Sequence, residues 1–209
     1  MTNTYLNDVE IKKLCLEENM ITPFIENLAD KNVVSYGLTS SGYDIRSSAL
    51  WKRSYPINAG SDFPVVVDVK GDNASMFEPL EIIVDKKRNA MPTDKVQGDY
   101  VLLEPQGFFL TYSVEYFSIP EDIVGTCVGK STWARVGIDV LVTPLEPGWK
   151  GNLVIEVVNE SKNWVKMYLG EGLAQIRFTK INKPQVTYAD RKGKYQSQTG
   201  ITHAKVNHS

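Results

Sequence analysis

A series of short apolar segments with turn residues between them constrains the fold more than any other feature of the sequence. From position 63 the chain reads "FPVVVDV", "LEIIVD", "YVLLEP", "GFFLTYSVEYF", "IDVLVT", "NLVIEVVN", "VKMYL" and "LAQIRF". These segments are rich in Val, Ile, Tyr and Phe, and strands spaced by about ten residues indicate an all-β sandwich or barrel. No long helical segments alternate with them, which disfavours a doubly wound α/β fold. A chain of 209 residues with 42% hydrophobic content has enough apolar material for one large domain. One amphipathic helix is expected near the start. Asn7 or Asp8 caps "VEIKKLCLEEN", in which Ile11, Leu14 and Cys15 fall at helical spacing. Residues 85–98, "DKKRNAMPTDKVQG", read as a long polar loop, and the polar tail from Tyr188 to Ser209 reads as mobile until something orders it.

The net charge is −2, so the chain lacks the basic surface that non-specific nucleic-acid binding needs. A small anionic ligand needs only a local positive pocket. Two cysteines, Cys15 and Cys127, cannot make a disulfide framework and suggest a reducing compartment. The two histidines, His203 and His208, both lie in the last seven residues, so zinc ligands are scarce. The first residues, "MTNTYLNDVEIKK", show no signal peptide, and no apolar window approaches the roughly 18 residues of a membrane span. A cytoplasmic location is expected.

"GKSTWAR", Gly129 to Arg135, resembles the end of a P-loop but misses by one residue. The first glycine would fall at Val124, and Gly125 comes one position late. Ser131 and Arg135 are four apart and point the same way if this is one helical turn. Ser131 is also a natural N-cap, and a helix start beside Lys130 favours an anion. In "NLVIEVVN", alternation puts Leu153, Ile155 and Val157 on one face and Val154, Glu156 and Val158 on the other. Glu156 is then either a solvated carboxylate on an edge strand or a desolvated general base with a raised pKa. "TPLEPGWKG", Thr143 to Gly151, is too rich in Pro and Gly for a strand, and it closes a hairpin onto the Glu156 strand. In "SSGYDIRSS", Asp44 and Arg46 share parity and could form a surface ion pair. In the tail "GKYQSQTGIT", Lys194, Tyr195, Gln196 and Gln198 could bind phosphate and base edges.

These pieces together resemble one family. "SYGLTSSGYDIRSS", "EYFSIPEDIVGTCVGKSTWARVGI", "VTPLEPGWKGNLVIEVVNES", "GEGLAQIRF" and "YADRKGKYQSQTGIT" occur in the order seen in dCTP deaminases of the dUTPase-like superfamily, over roughly residues 9 to 205. The resemblance implies a single mainly β domain over residues 1–209, a distorted β-barrel with a few short helical turns. An N-terminal helical segment would occupy about residues 1–30, and a tail, about 188–209, would close over the nucleotide. It implies a homotrimer whose active sites are shared between subunits. The reaction implied is hydrolysis of dCTP to dUTP and ammonia, supplying dUTP for thymidylate synthesis. Zinc plays no part, and Mg²⁺ arrives with the triphosphate rather than on protein side chains. The zinc deaminases instead carry H-x-E and P-C-x-x-C motifs, which are lacking here.

Matched by motif, Glu156 takes the place of the catalytic carboxylate that activates water. Ser131 and Arg135 match the residues that hold that water, with Arg135 directed toward Glu156. Lys130 and Ser131, with Thr132 beside them, face the triphosphate. The backbone near Thr143 and Pro144 supplies a carbonyl, and Val154 and Ile155 carry the backbone that reads the base edge. Gln175, Tyr188, Lys194 and Gln198 match nucleotide contacts. Glu146 matches an acidic position near the deoxyribose 3′-hydroxyl, where relatives commonly carry Asp. The resemblance assigns no role to Trp133.

Three functions compete. The first is deamination alone. The second is a dUTP pyrophosphatase, or a bifunctional enzyme that takes dCTP to dUMP and pyrophosphate. The third is a silent nucleotide-binding or regulatory protein. A pure dUTPase ends in a glycine-rich arm whose aromatic stacks on uracil, whereas this chain ends in "KYQSQTGIT". Glu156, Ser131 and Arg135 together argue against the silent reading. dTTP, an inhibitor of relatives, is a candidate inhibitor here.

Overall fold

A computed structural model describes residues 4–29, 31–54, 67–84 and 99–206. It is mainly β. Strand β1 (Thr4–Tyr5) leads into helix α1 (Asp8–Glu18), followed by β2 (Ile21–Thr22), β3 (Gly37–Thr39), β4 (Gly42–Arg46) and β5 (Lys52–Ser54). A single 3-10 turn precedes β6 (Phe77–Pro79), and then come β7 (Tyr100–Leu103), β8 (Phe108–Ser118) and β9 (Ile123–Gly129). The short α2 (Ser131–Ala134), β10 (Ile138–Leu141), β11 (Lys150–Asn159), β12 (Val165–Tyr168) and β13 (Gly172–Lys180) complete the chain.

Helix α1 starts where the sequence places it. Asn7 is the cap: its Oδ1 accepts from the Glu10 amide at 3.0 Å, while the Asn7 amide donates to the Glu10 carboxylate at 3.0 Å. This reciprocal box satisfies two amides that the helix start would otherwise leave bare. Ile11 and Cys15 are the buried pair, and the helix stops at Asn19 in the left-handed conformation, φ 54°. The helical part of the N-terminal segment is therefore this one element, and Ile21–Thr22 turns to pair with β8.

Two sheets carry the fold. In the first, β13 pairs with β1 and β4 on one side and β9 on the other, and β3 extends beyond β4. In the second, the order is β10–β11–β8–β5–β6, with β2 also on β8. A smaller ribbon joins β7 to β12. Inward residues of both sheets, among them Tyr43, Ile45 and Phe178 from the first and Phe109, Ile155 and Val157 from the second, form one buried cluster. Burial of each such side chain is worth about 1.5–3 kcal/mol. The ladders do not run continuously around the molecule. A bridge between Ser47 and Ser113 joins the two sheets, and another between Gly125 and Leu145 ties β9 to the loop before β11. The two main sheets are thus joined by isolated bridges rather than closed into a complete barrel.

The expected strands from "YVLLEP" onward form within a residue or two. "LEIIVD" contributes only a bridge at Ile83. Residues 63–66 and 85–98 lie outside the described residues, and 67–69 are not in a strand. Strand β9, "IVGTCVG", was not expected as an element of its own, because glycine and threonine dilute its apolar signal. "TPLEPGWKG" does more than close the β10–β11 hairpin. The amides of Leu145 and Gly125 each donate to the other's carbonyl at 2.9 Å, so the loop also contacts β9. The tail, expected to be mobile on its own, is packed on the body as far as the described residues reach.

Candidate active site

Glu156 does not lie on an edge. β11 runs between β10 and β8, and Glu156 faces Leu141 on one neighbour and Leu110 on the other. The alternation holds: Leu153, Ile155 and Val157 are buried, while Val154, Glu156 and Val158 line the opposite, half-exposed face. Loss of water around Glu156 pushes its carboxyl above the ordinary carboxylate range, opposed only by a bond from its own backbone amide. The edge-strand reading is thereby corrected, since β11 is paired on both sides and partial burial between β10 and β8 is what raises the carboxyl.

β10 ends at Leu141, opposite Glu156. Farther back on the same side, the tail takes over. The Asn152 amide donates to the Gln198 carbonyl at 2.9 Å, and Gln198 Nε2 donates to the Asn152 carbonyl at 2.9 Å. Between these two partners lies Val154. By the alternation of an antiparallel ladder, its N–H and C=O point into the gap. A donor and an acceptor from the main chain thus open beside the Glu156 carboxylate.

This gap belongs to a cavity of about 560 Å³. Of the expected substrate-binding residues, Thr143, Pro144, Glu146, Val154, Glu156, Tyr188, Lys194 and Gln198 line it. The tail is fixed across it by bonds made through the tail's own main chain. Trp149 Nε1 donates to the Tyr195 carbonyl at 3.0 Å, and the Ser197 amide donates to the Lys150 carbonyl at 2.8 Å. A Cβ on Gly193 would sit 2.1 Å from the Tyr188 ring, so only glycine lets the tail cross there. Tyr188 Oη accepts from the Tyr195 amide at 3.1 Å, and Lys194 Nζ donates to the Lys205 carbonyl. Ile155 is fully buried and faces the core, so it contributes only its main chain.

Within one chain, the "GKSTWAR" residues are not brought to this cavity; none of Lys130, Ser131, Thr132 and Arg135 lines it. Ser131 and Arg135 do point the same way, with Arg135 Nη1 donating to Ser131 Oγ at 2.9 Å on an exposed surface. The cap position is corrected by one residue: Lys130 is the N-cap, with no side-chain bond, and Ser131 is already helical. Lys130 turns inward. Its Nζ pairs with buried Asp44 and donates to Ser35 Oγ at 3.1 Å. Gln175 joins this cluster, donating from Nε2 to Asp44 Oδ1 at 3.0 Å, and does not line the cavity. Thr132 borders a more open hollow with Ser35 and Glu171.

The expected surface pair of Asp44 with Arg46 does not form. Each residue finds other partners: Asp44 meets Lys130 and Gln175, and Arg46 meets Glu115 of the second sheet. Arg46 Nε donates to Glu115 Oε1 at 2.7 Å, and the Arg46 amide donates to Oε2 at 3.0 Å. Glu115 is 0% exposed, and burial raises its carboxyl above the usual range despite Arg46. Trp133 is a structural residue: it is buried, and its Nε1 donates to the Gly172 carbonyl at 2.8 Å. Burial pushes the Cys127 thiol up to about 12, with the nearby Glu156 adding to the effect. It is protonated at neutral pH.

Sequence reasoning missed Phe77, Phe108, Leu110 and His203, which also line the cavity. Leu110 and Phe108 could have been found from parity alone, given the pairing of β8 with β11. His203 gave no signal, because nothing in the sequence shows where the tail folds back. Among the described residues, no three His, Cys, Asp or Glu side chains gather into a metal-binding group.

Comparison with known proteins identifies the family. The family described as dCTP deaminase-like matches residues 5–181. The chain is 41% identical over 197 residues to a dCTP deaminase of Campylobacter lari, covering 94% of this chain and 95% of that one. It is 44% identical over 200 residues to a dCTP deaminase of a Sulfurovum species, covering 95% of each. Among solved structures, the 2′-deoxycytidine 5′-triphosphate deaminase of Agrobacterium tumefaciens superposes with a TM-score of 0.55 at 19% identity. That match covers 86% of this chain and 49% of the other, and it speaks to the fold. With most of its length matched by the family and close to its full length matched by these relatives, the chain belongs to the dCTP deaminase-like family.

Proposed function

We propose that the protein hydrolyses the 4-amino group of dCTP, releasing dUTP and ammonia. One observation carries this reading: a desolvated carboxylate, Glu156, stands beside the open main-chain donor and acceptor of Val154 in a cavity large enough for a nucleotide. The Val154 pair reads the edge of the cytosine ring and sets C4 against Glu156. Glu156 takes a proton from water as the water oxygen bonds to C4, and it passes that proton to N3. It then takes the remaining hydroxyl proton and delivers it to the 4-amino group. The C4–N bond breaks, ammonia leaves, and C4 is left as the carbonyl of dUTP. A general base of this kind supplies about 10²–10⁴-fold. The raised pKa of Glu156 suits it to both halves of the shuttle.

Tyr188, Lys194 and Gln198 hold the sugar and phosphates from the tail side, and Glu146 takes the 3′-hydroxyl. Mg²⁺ enters as part of the substrate, on the triphosphate. Ser131 and Arg135 reach the cavity from a neighbouring copy in a trimer. Both are exposed, their side chains bond to each other, and neither lines the Glu156 cavity of its own chain, which supports this sharing. Incubation with Mg²⁺ and dCTP, followed by ion-exchange separation, tests the reading. Accumulation of dUTP is expected. Stoichiometric dUMP and pyrophosphate would replace it with the bifunctional reaction, and binding without turnover would replace it with a silent nucleotide-binding role.

A further inference from the structure

The tail that lies across the cavity has a second anchor, about five residues beyond Gln198, which none of the expected nucleotide contacts uses. His203 packs its ring on Phe77, with centroids 5.2 Å apart and planes inclined by 36°. Its Nε2 lies 3.1 Å from Lys52 Nζ on β5. A lysine ammonium only donates, so Nε2 must accept and the ring proton must sit on Nδ1. Nδ1 is itself buried and has no partner among the described residues. A second proton would therefore place a cation against the Lys52 ammonium with nothing beside it to accept a bond.

We propose that neutral His203 latches the tail over the Glu156 cavity, and that protonation of His203 releases it. The inference rests on the tail being the nucleotide-covering segment. The charged groups around the ring act unequally. Lys52 opposes the imidazolium, while Asp72, in the loop before β6, favours it more weakly. Arg53 and Glu78, on β5 and β6, are paired to each other. Glu156 and Lys194 line the same cavity, and Lys194 is engaged by the Lys205 carbonyl. Burial and Lys52 together hold the docked imidazole below its ordinary range. The sign follows. Above the free histidine pKa of about 6.5, docked and free tails carry the same charge and closure is complete. As pH falls below that value, the free tail binds the proton preferentially, and closure weakens by about tenfold per pH unit until the docked ring also titrates.

Hydrogen exchange of the full-length protein without nucleotide reads the latch directly. The amides of Asn152 and Ser197 report docking, since one donates to the Gln198 carbonyl and the other to the Lys150 carbonyl across the tail contact. In wild type, their protection should fall by about tenfold between pH 7.5 and pH 5.5, relative to H203Q at the same pH. Glutamine can still accept from Lys52 but cannot ionise, so H203Q should hold the tail equally at both values. K52M, lacking the opposing charge, should shrink the wild-type fall. An identical pH response in wild type and H203Q, or none in either, overturns the latch. The KM for dCTP separates this from the functional reading: a tail that opens in acid while KM stays level leaves the latch standing and removes the tail from substrate binding.

Discussion

Replacing Glu156 by glutamine separates chemistry from binding and from folding. The substitution keeps the shape of a side chain set between Leu141 and Leu110, and it removes the carboxylate on the same face of β11 as Val154. Loss of a general base costs about 10²–10⁴-fold in kcat, while dCTP binding, set by the main chain and the tail, should change little. The folding consequence has the opposite sign. A carboxyl whose folded pKa is raised contributes most stability below its unfolded pKa, and that contribution is lost as pH rises through the folded pKa. E156Q, which never ionises, should therefore unfold at the same or a higher temperature than wild type, with the gap widening from pH 5 to pH 8. In wild type the acid limb of kcat/KM should fall above the ordinary carboxylate range, because only ionised Glu156 can take a proton. The assays are dUTP formation by ion exchange, dCTP binding by calorimetry, and thermal unfolding across pH. Near-normal turnover in E156Q would remove Glu156 from the mechanism. A large loss of binding would show that it acts on affinity rather than on chemistry.

Other expectations concern the scaffold and the assembly. R46M leaves Glu115 buried without its partner and should cost about 3–5 kcal/mol in urea unfolding at pH 7. That cost should shrink in acid, where Glu115 is protonated. W133F strands the Gly172 carbonyl and should lower stability by about 1–3 kcal/mol, without changing KM for dCTP in protein that remains folded. Mixing E156Q with R135A tests the shared site. Each variant alone should be nearly inactive, whereas a 1:1 reassembled mixture should recover about a quarter of wild-type turnover, one half times one half, if Glu156 and Arg135 come from different copies. No recovery would place both residues in the same chain's site.

The sequence carried the sheets and one side of the site. Period-2 alternation correctly assigned Glu156 and Val154 to one face of β11, and helical spacing correctly paired Ser131 with Arg135. Alternation within one segment cannot show which strands flank it, however, so Glu156 could not be told from an edge carboxylate. Pairing of β4 with β13 is also what sets Asp44 against Gln175, and packing of the two sheets is what brings Arg46 to Glu115, between segments distant in sequence. Strand β9 was hidden because two of its seven residues are glycine, of which Gly125 packs against Leu145. The tail was the least legible element. Its polar composition reads as mobile, and its docking depends on main-chain bonds to the 148–152 segment, which composition does not encode.

The central claim is that water attacks C4 of the cytosine ring and no phosphate is cut. Turnover of Mg·dCTP in water enriched in ¹⁸O, read by mass spectrometry, tests it most directly. The account predicts a single ¹⁸O in the uracil base of dUTP, with none in the phosphates and one equivalent of ammonia. Label in a phosphate of dUMP or in pyrophosphate, or dUTP whose base carries no label, would contradict it.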